Sequence, residues 1–221
     1  IKVCRIFERD GRRVLFIHIP KTGGTSIIDM LVRNGWETAQ EIPKASQSLR
    51  DEFPRLINSK HQHEILRKSW NLKWDYEFAL VRNPYSRAFS QAKHVAKTMD
   101  TLQDIDPRYP KTYGFGLFMH KVITETIASQ GISVDDNHFR PQVDFISKKT
   151  EWFRIEDQKD YLLNSLKSLD IISVNSELDN LNFSFSENQK DPDREWMQVK
   201  NVHKKFIDIY SKDFKKFGYK I

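Results

Sequence analysis

Cysteine is nearly missing from this sequence, because Cys4 is the only one. A lone cysteine excludes an intrachain disulfide and argues against a zinc cluster or a disulfide-stapled secreted framework. Runs of eighteen or more apolar residues are missing too, so the sequence offers no membrane-spanning helix. We therefore predict a cytoplasmic protein, although the chain begins at Ile1 and leaves open a removed N-terminal targeting or anchor segment.

The sequence also lacks a strong excess of positively or negatively charged residues. Lys and Arg number 36 against 30 Asp and Glu, which gives a formal net charge of +6. This surplus favours an anionic partner but does not choose among a nucleotide, an acidic polysaccharide and a nucleic acid. With 221 residues, 38% of them hydrophobic, the chain is predicted to form one domain over residues 1–221 with a full core.

The first informative stretch is F-I-H-I-P-K-T-G-G-T-S, residues 16–26. An apolar run stops at Pro20, and a helical pattern follows Ser26, so we predict the order strand, tight loop, helix. Gly23 and Gly24 let the backbone approach a ligand, the helix start offers N–H groups, and Lys21 adds a full charge. The stretch therefore predicts a site for phosphate or sulfate; a plain strand-to-helix turn with a surface lysine is the structural alternative.

The order of residues in this loop argues against an ordinary nucleotide triphosphatase. An ATP-type phosphate loop carries its lysine after the glycines, in G-x-x-x-x-G-K-[ST]. Here Lys21 precedes Gly23 and Gly24. The loop alone indicates anion binding rather than a particular reaction.

A second strand is predicted at Phe78 to Val81, again ending at a cation, Arg82. Pro84 suits the first turn of a following helix, which would carry Arg87 and Ser90 on one face. A guanidinium with a serine hydroxyl makes a good phosphate clamp. The alternative is a salt-bridged residue at a strand end and a serine on a helix surface.

Two histidines, His61 and His63, lie between these two stretches. On a strand both rings would face the same side, but no third metal ligand lies nearby, so we predict no metal site. A general base is the better functional hypothesis, because histidine can take a proton from a hydroxyl near neutral pH. Two ordinary surface histidines remain the alternative.

The two strand-end motifs, F-I-H-I-P-K-T-G-G-T-S and A-L-V-R-N-P-Y-S-R-A-F-S, together resemble the carbohydrate sulfotransferases that use 3′-phosphoadenosine 5′-phosphosulfate (PAPS). The likeness is closest to the branch that includes heparan sulfate 2-O-sulfotransferase and bacterial polysaccharide relatives. It implies that Arg82 and Ser90 bind the 3′-phosphate of PAPS. It also implies that the first motif grips the 5′-phosphosulfate through Lys21, Thr22, Gly23, Gly24, Thr25 and Ser26.

The resemblance also implies catalytic roles. His61 would be the general base, His63 its rival or a substrate contact, and Lys21 would neutralise charge on the leaving phosphate without a metal. The unit H-F-R-P-Q resembles a segment of the same branch, so His138 and Arg140 are candidate substrate contacts; a local turn role for His138 stays open. Residues from about 95 to 137 are predicted to recognise the acceptor.

The fold predicted from these patterns is α/β: a P-loop-like parallel sheet with helices on both faces. Helical spacing follows Ser26, covers Tyr161 to Leu169 and stops near the C-terminus at Gly218, and another strand is predicted at Ile171 to Val174.

The predicted function is transfer of a sulfuryl group from PAPS to a hydroxyl of a carbohydrate or other acceptor, including an anionic one, which leaves 3′-phosphoadenosine 5′-phosphate (PAP). No nucleic acid is required for it. The alternatives are a nucleotide-dependent kinase on a similar scaffold and a non-catalytic anion- or nucleic-acid-binding module.

Overall fold

The computed structural model describes residues 5–39, 72–91, 94, 138–178 and 200–221. Within these ranges five strands form one sheet in the order β3-β1-β2-β4-β5. The strands are β1 (Arg5–Arg9), β2 (Arg12–Ile17), β3 (Glu37–Thr38), β4 (Tyr76–Val81) and β5 (Glu151–Arg154). The helices are α1 (Gly24–Arg33), α2 (residues 84–91), the short 3₁₀ helix η1 (Gln142–Phe145), α3 (Lys159–Ser168) and α4 (Lys200–Phe217).

A hairpin opens the sheet. Asp10 and Gly11 connect β1 to β2, and both have positive φ angles, 52° and 75°. Positive φ at both central residues is what a two-residue turn needs to match the twist of its strands, and Asp-Gly suits it. β1 therefore pairs antiparallel with β2 and, on its other side, with β3.

The other three strands run in parallel and bring three chain segments to one edge of the sheet. β4 pairs with β2 and with β5, and the carboxyl end of each strand leads towards a helix. β2 leads into α1, β4 into α2 and β5 into α3. We call this side the carboxyl edge; it is where ligands bind in open parallel sheets.

Alternation along the strands builds a core on each face of the sheet. Phe16 and Phe78 belong to the cluster that α1 and α3 cover with residues such as Leu31 and Leu166. The neighbouring strand residues face the other side and pack with η1 and the end of α4, in a cluster that includes Leu15, Ile17, Val81, Phe145 and Phe217. Helices thus cover both faces.

At the edge of the sheet opposite the carboxyl edge, Arg9 holds the C-terminal end of α1 in place. Its guanidinium donates to the Asn34 carbonyl (2.9 Å) and lies over the Trp36 ring, 4.7 Å from the ring centroid. The Trp36 indole donates to the Ile171 carbonyl at 2.6 Å. These contacts join the C-terminal end of α1 to the segment after α3.

The predicted α/β class is confirmed, although the hairpin makes the sheet mixed instead of wholly parallel. The predicted strand at Ile171 to Val174 is wrong. Ile171 N–H donates to the Leu166 carbonyl at 2.8 Å, and the Ile171 carbonyl accepts from the Trp36 indole. The segment therefore closes α3 instead of joining the sheet. In the described ranges no helix is long and apolar enough to cross a bilayer.

Candidate anion-binding site

The loop between β2 and α1 has the backbone shape of an anion cradle. Lys21 and Gly23 both have left-handed φ angles, 65° and 81°. Such angles turn successive N–H groups towards one side of a loop. Lys21 is not a glycine, so its conformation stores strain of about 1–2 kcal/mol. Thr22 is fully buried, and its hydroxyl donates to the Ile19 carbonyl at 2.9 Å, so this side chain stabilises the loop itself.

The N-terminus of α1 adds a positive dipole end to this loop. Neither a side-chain cap nor an acidic residue occupies the first turn of α1. An acidic residue there would already balance the dipole. Because none does, the start of this helix is suited to an external anion.

The His18 ring occupies the space beside Gly24, the first residue of α1. A Cβ atom added at Gly24 would lie 2.2 Å from Cδ2 and Nε2 of the His18 ring. That ring also stacks on Phe16, with centroids 5.8 Å apart. The loop backbone and the imidazole therefore pack so closely that no side chain fits between them.

Arg82 follows β4 at the same carboxyl edge. Its Nη1 donates to the Lys21 carbonyl at 3.3 Å, so the structure brings together the two predicted phosphate motifs. The residue is only 5% exposed, and this burial lowers the pKa of its guanidinium, whereas Glu156 and Tyr219 act in the opposite direction. The arrangement places a buried cation beside the anion loop.

The neighbours of Arg82 hold the start of α2. Asn83 N–H donates to Glu156 at 2.7 Å, and Tyr219 O–H donates to the other oxygen of the same carboxylate at 2.8 Å. The Asn83 side chain accepts the Tyr85 N–H at 2.9 Å, which caps α2 just before Pro84.

Arg87 is structural in this fold. It is 2% exposed and donates to the carbonyls of Pro20 (3.0 Å), Arg140 (2.8 Å) and His138 (2.8 Å). Burial lowers the pKa of its guanidinium, while Tyr210 and Asp213 favour the charged form. Arg87 thus ties α2 to the anion loop and to the segment of residues 138–140, and is not an exposed phosphate ligand.

His138 and Arg140 have geometry that favours structural roles. The His138 carbonyl accepts from Arg87, and the Arg140 guanidinium lies buried 3.3 Å from Asp144. Burial lowers the pKa of Arg140, although Asp144 opposes the shift. Their contact with substrate stays a prediction.

The remaining predicted residues are placed in part. Ser90 is half-buried on α2, Thr25 is exposed and Ser26 is half-buried in the first turn of α1. Their contacts with phosphate stay predictions. His61 and His63 lie outside the described residues, as does the acceptor segment of about 95 to 137.

Gln142 and Asp213 were not predicted. The Gln142 side chain bonds the backbone of Arg82, and Asp213 from α4 accepts from the N–H groups of Gln142 (2.8 Å) and Val143 (2.9 Å). Burial raises the pKa of the Asp213 carboxyl, and its hydrogen bonds act against that shift. One signal was available in the sequence: Asp213 is a charge at helical spacing within the apolar stripe that includes Phe206 and Tyr210.

Comparison with known proteins gives one result. A family model described as "Sulfotransferase family" matches residues 5–220, nearly the whole chain. No curated protein and no solved structure matches the chain. In the described part of the chain, no group of three or more His, Cys, Asp or Glu side chains is placed to hold a metal ion.

Proposed function

The chain belongs to the sulfotransferase family, and on that premise we propose that it transfers a sulfuryl group from PAPS to a hydroxyl of a carbohydrate. The observation that carries the proposal is the 3.3 Å contact between Arg82 and the Lys21 carbonyl. It joins the loop after β2 to the end of β4, and each supplies groups that bind anions. PAPS carries a phosphosulfate and a separate 3′-phosphate, so it needs two such places.

The chemistry of the described residues fits this donor. Lys21, the left-handed loop and the uncapped start of α1 suit a phosphosulfate. The planar guanidinium of Arg82 suits a phosphate monoester, which it can bind with two parallel hydrogen bonds. Gly24 has no side chain of its own, so the His18 ring packs directly against the start of this helix.

The residues of the chain have separate tasks in the reaction. PAPS, when bound, supplies the sulfuryl group. Lys21 and the N–H groups at the start of α1 neutralise the negative charge that grows on the phosphate side of the breaking bond. His61 takes the proton from the acceptor hydroxyl, as the resemblance implies, and His63 is the alternative base. Positioning and charge stabilisation do most of the work in such a transfer, as in phosphoryl transfer.

Titration calorimetry with PAP, the desulfated donor, tests the proposal. Wild type is expected to bind PAP, and Arg82→Ala to bind at least about tenfold more weakly, since it loses a charged pair. Arg12→Ala is the matched control, because it removes an equal charge at the opposite edge of the sheet, where Arg12 bonds the Leu169 carbonyl. Absence of PAP binding by wild type would refute the proposal, and a preference for ATP would favour a kinase.

A transfer assay tests the base and the acceptor. Radiolabelled sulfate from PAPS is followed into a panel of neutral and acidic polysaccharides, with His61→Ala and His63→Ala compared with wild type. Loss of the base is expected to lower kcat by about 10²–10⁴-fold. Full activity in His61→Ala would assign the role elsewhere, and activity only on small non-sugar alcohols would exclude a carbohydrate acceptor.

A further inference from the structure

The side chain of Gln142 satisfies the backbone hydrogen-bonding groups of Arg82. The pairing of β4 with β2 extends to Ala79, and its pairing with β5 extends to Val81, so Arg82 lies one residue past the ladder. Its N–H donates to Oε1 of Gln142 at 2.8 Å, and Nε2 of Gln142 donates to its carbonyl at 2.8 Å. The Gln142 amide therefore bonds both backbone groups of Arg82, as a residue of a neighbouring strand would.

Asp213 fixes the orientation of that amide. Its Oδ2 accepts from the Gln142 backbone N–H at 2.8 Å and from Nε2 at 3.3 Å, and both residues are 0% exposed. Nε2 thus faces two acceptors, the Arg82 carbonyl and the Asp213 carboxylate. A flipped amide would set its oxygen against both of them and leave the Arg82 N–H facing another donor. These hydrogen bonds therefore allow only one orientation of the Gln142 side-chain amide.

These bonds form a continuous chain from the C-terminal helix to the anion loop. Asp213 on α4 holds Gln142, Gln142 holds the backbone of Arg82, and the guanidinium of Arg82 reaches the Lys21 carbonyl at 3.3 Å. Because Asp213, Gln142 and Arg82 are buried, a shift of one is opposed by lost hydrogen bonds at the next.

We propose that Gln142 and Asp213 are positioning residues for Arg82, and that through them α4 sets the affinity of the site for the nucleotide end of the donor. The inference rests on the proposed function, which makes Arg82 a donor ligand. It extends that function to two residues that touch neither donor nor acceptor. A buried polar pair that serves only folding would change stability without selecting the donor.

The test compares Gln142→Met with Tyr210→Phe. Methionine keeps the length of glutamine and removes both bonds to Arg82. Tyr210→Phe is the matched control, since it removes one buried bond from α4, to the Phe139 carbonyl at 2.6 Å, without touching Arg82. Gln142→Met is expected to raise the Kd for PAP and the KM for PAPS about tenfold, with the acceptor KM within about twofold of wild type. Tyr210→Phe is expected to keep both donor values within about twofold.

A double-mutant cycle shows whether the effect passes through Arg82. In an Arg82→Ala background, Gln142→Met is expected to change the KM for PAPS by less than about twofold, because the guanidinium it would misplace is gone. Asp213→Asn provides a second variant, with the same expected direction, should Gln142→Met fail to fold by circular dichroism.

The outcomes separate the two proposals. Equal PAP binding by wild type and folded Gln142→Met would overturn the positioning role alone. An equal rise of donor and acceptor KM, or the same donor effect without Arg82, would do so too. Absence of PAP binding by wild type would remove the proposed function as well.

Discussion

Replacement of Gly24 by alanine sets two known effects against each other. In a helix, alanine is favoured over glycine by about 1 kcal/mol, and Gly24 has no positive φ angle that alanine would resist. The new Cβ, however, would lie 2.2 Å from two atoms of the His18 ring. Carbon atoms in contact normally lie about 3.5–4.0 Å apart, so the ring must move by more than about 1 Å and leave its stack on Phe16. Overpacking of this kind costs about 1–3 kcal/mol.

The overpacking cost less the helix gain leaves a net loss of about 0–2 kcal/mol of unfolding free energy for Gly24→Ala, which lowers Tm by up to roughly 8 °C in a domain of this size. Differential scanning calorimetry measures this. The control is the same change in a His18→Ala background, where the clash is gone and alanine is expected to be neutral or stabilising by up to about 1 kcal/mol. A Tm rise for Gly24→Ala in wild type, or an equal loss in both backgrounds, would refute the reasoning.

Three other predictions follow from contacts of the described residues. Lys21→Gly is expected to be more stable than Lys21→Ala by about 1 kcal/mol in urea unfolding, because only glycine relaxes the left-handed backbone, while both bind PAP more weakly; equal stabilities would contradict the strain. Arg87→Met is expected to lose about 3–5 kcal/mol, since three buried carbonyls lose their donor, and a urea midpoint equal to that of wild type would argue against this. Burial raises the pKa of Tyr76, Tyr85, Tyr210 and Tyr219 above the usual 10. Absorbance at 295 nm is therefore expected to show fewer tyrosinates just above pH 10 in the native protein than in the urea-unfolded protein. The unfolded chain then releases protons that the folded chain keeps, so stability is full below pH 10 and falls as pH rises above it; identical titration curves would contradict the burial.

Local patterns predicted the elements that carry the anion loop. The apolar run before Pro20 and the helical spacing after Ser26 correspond to β2 and α1, and the run before Arg82 corresponds to β4. These elements were predictable because their burial follows a simple period along the chain. β1 was missed, since its charged residues hid an Asp-Gly hairpin signal, and β5 was missed because it is short.

Roles that depend on distant partners could not be read from the sequence. Arg87 has the same motif context as Arg82, yet its three carbonyl partners make it a structural residue. Gln142 reaches a residue 60 positions away in the chain, and Asp213 reaches one 71 positions away. No spacing rule encodes such pairs, because they exist only after the sheet and α4 have packed together.

The contacts of Arg9 with the C-terminal end of α1 affect the dissociation rate of a ligand bound at the anion loop. The loop of residues 18–23 lies between β2 and α1, and the far end of that helix is held by the bonds of Arg9 and Trp36. A loop held in this way loses little further conformational freedom when a ligand arrives, so more of the contact energy remains as affinity. Differences in affinity usually lie in the dissociation rate. Loss of the Arg9 and Trp36 hydrogen bonds at the opposite edge of the sheet is therefore expected to shorten the residence time of a bound nucleotide, although the nucleotide does not contact that edge.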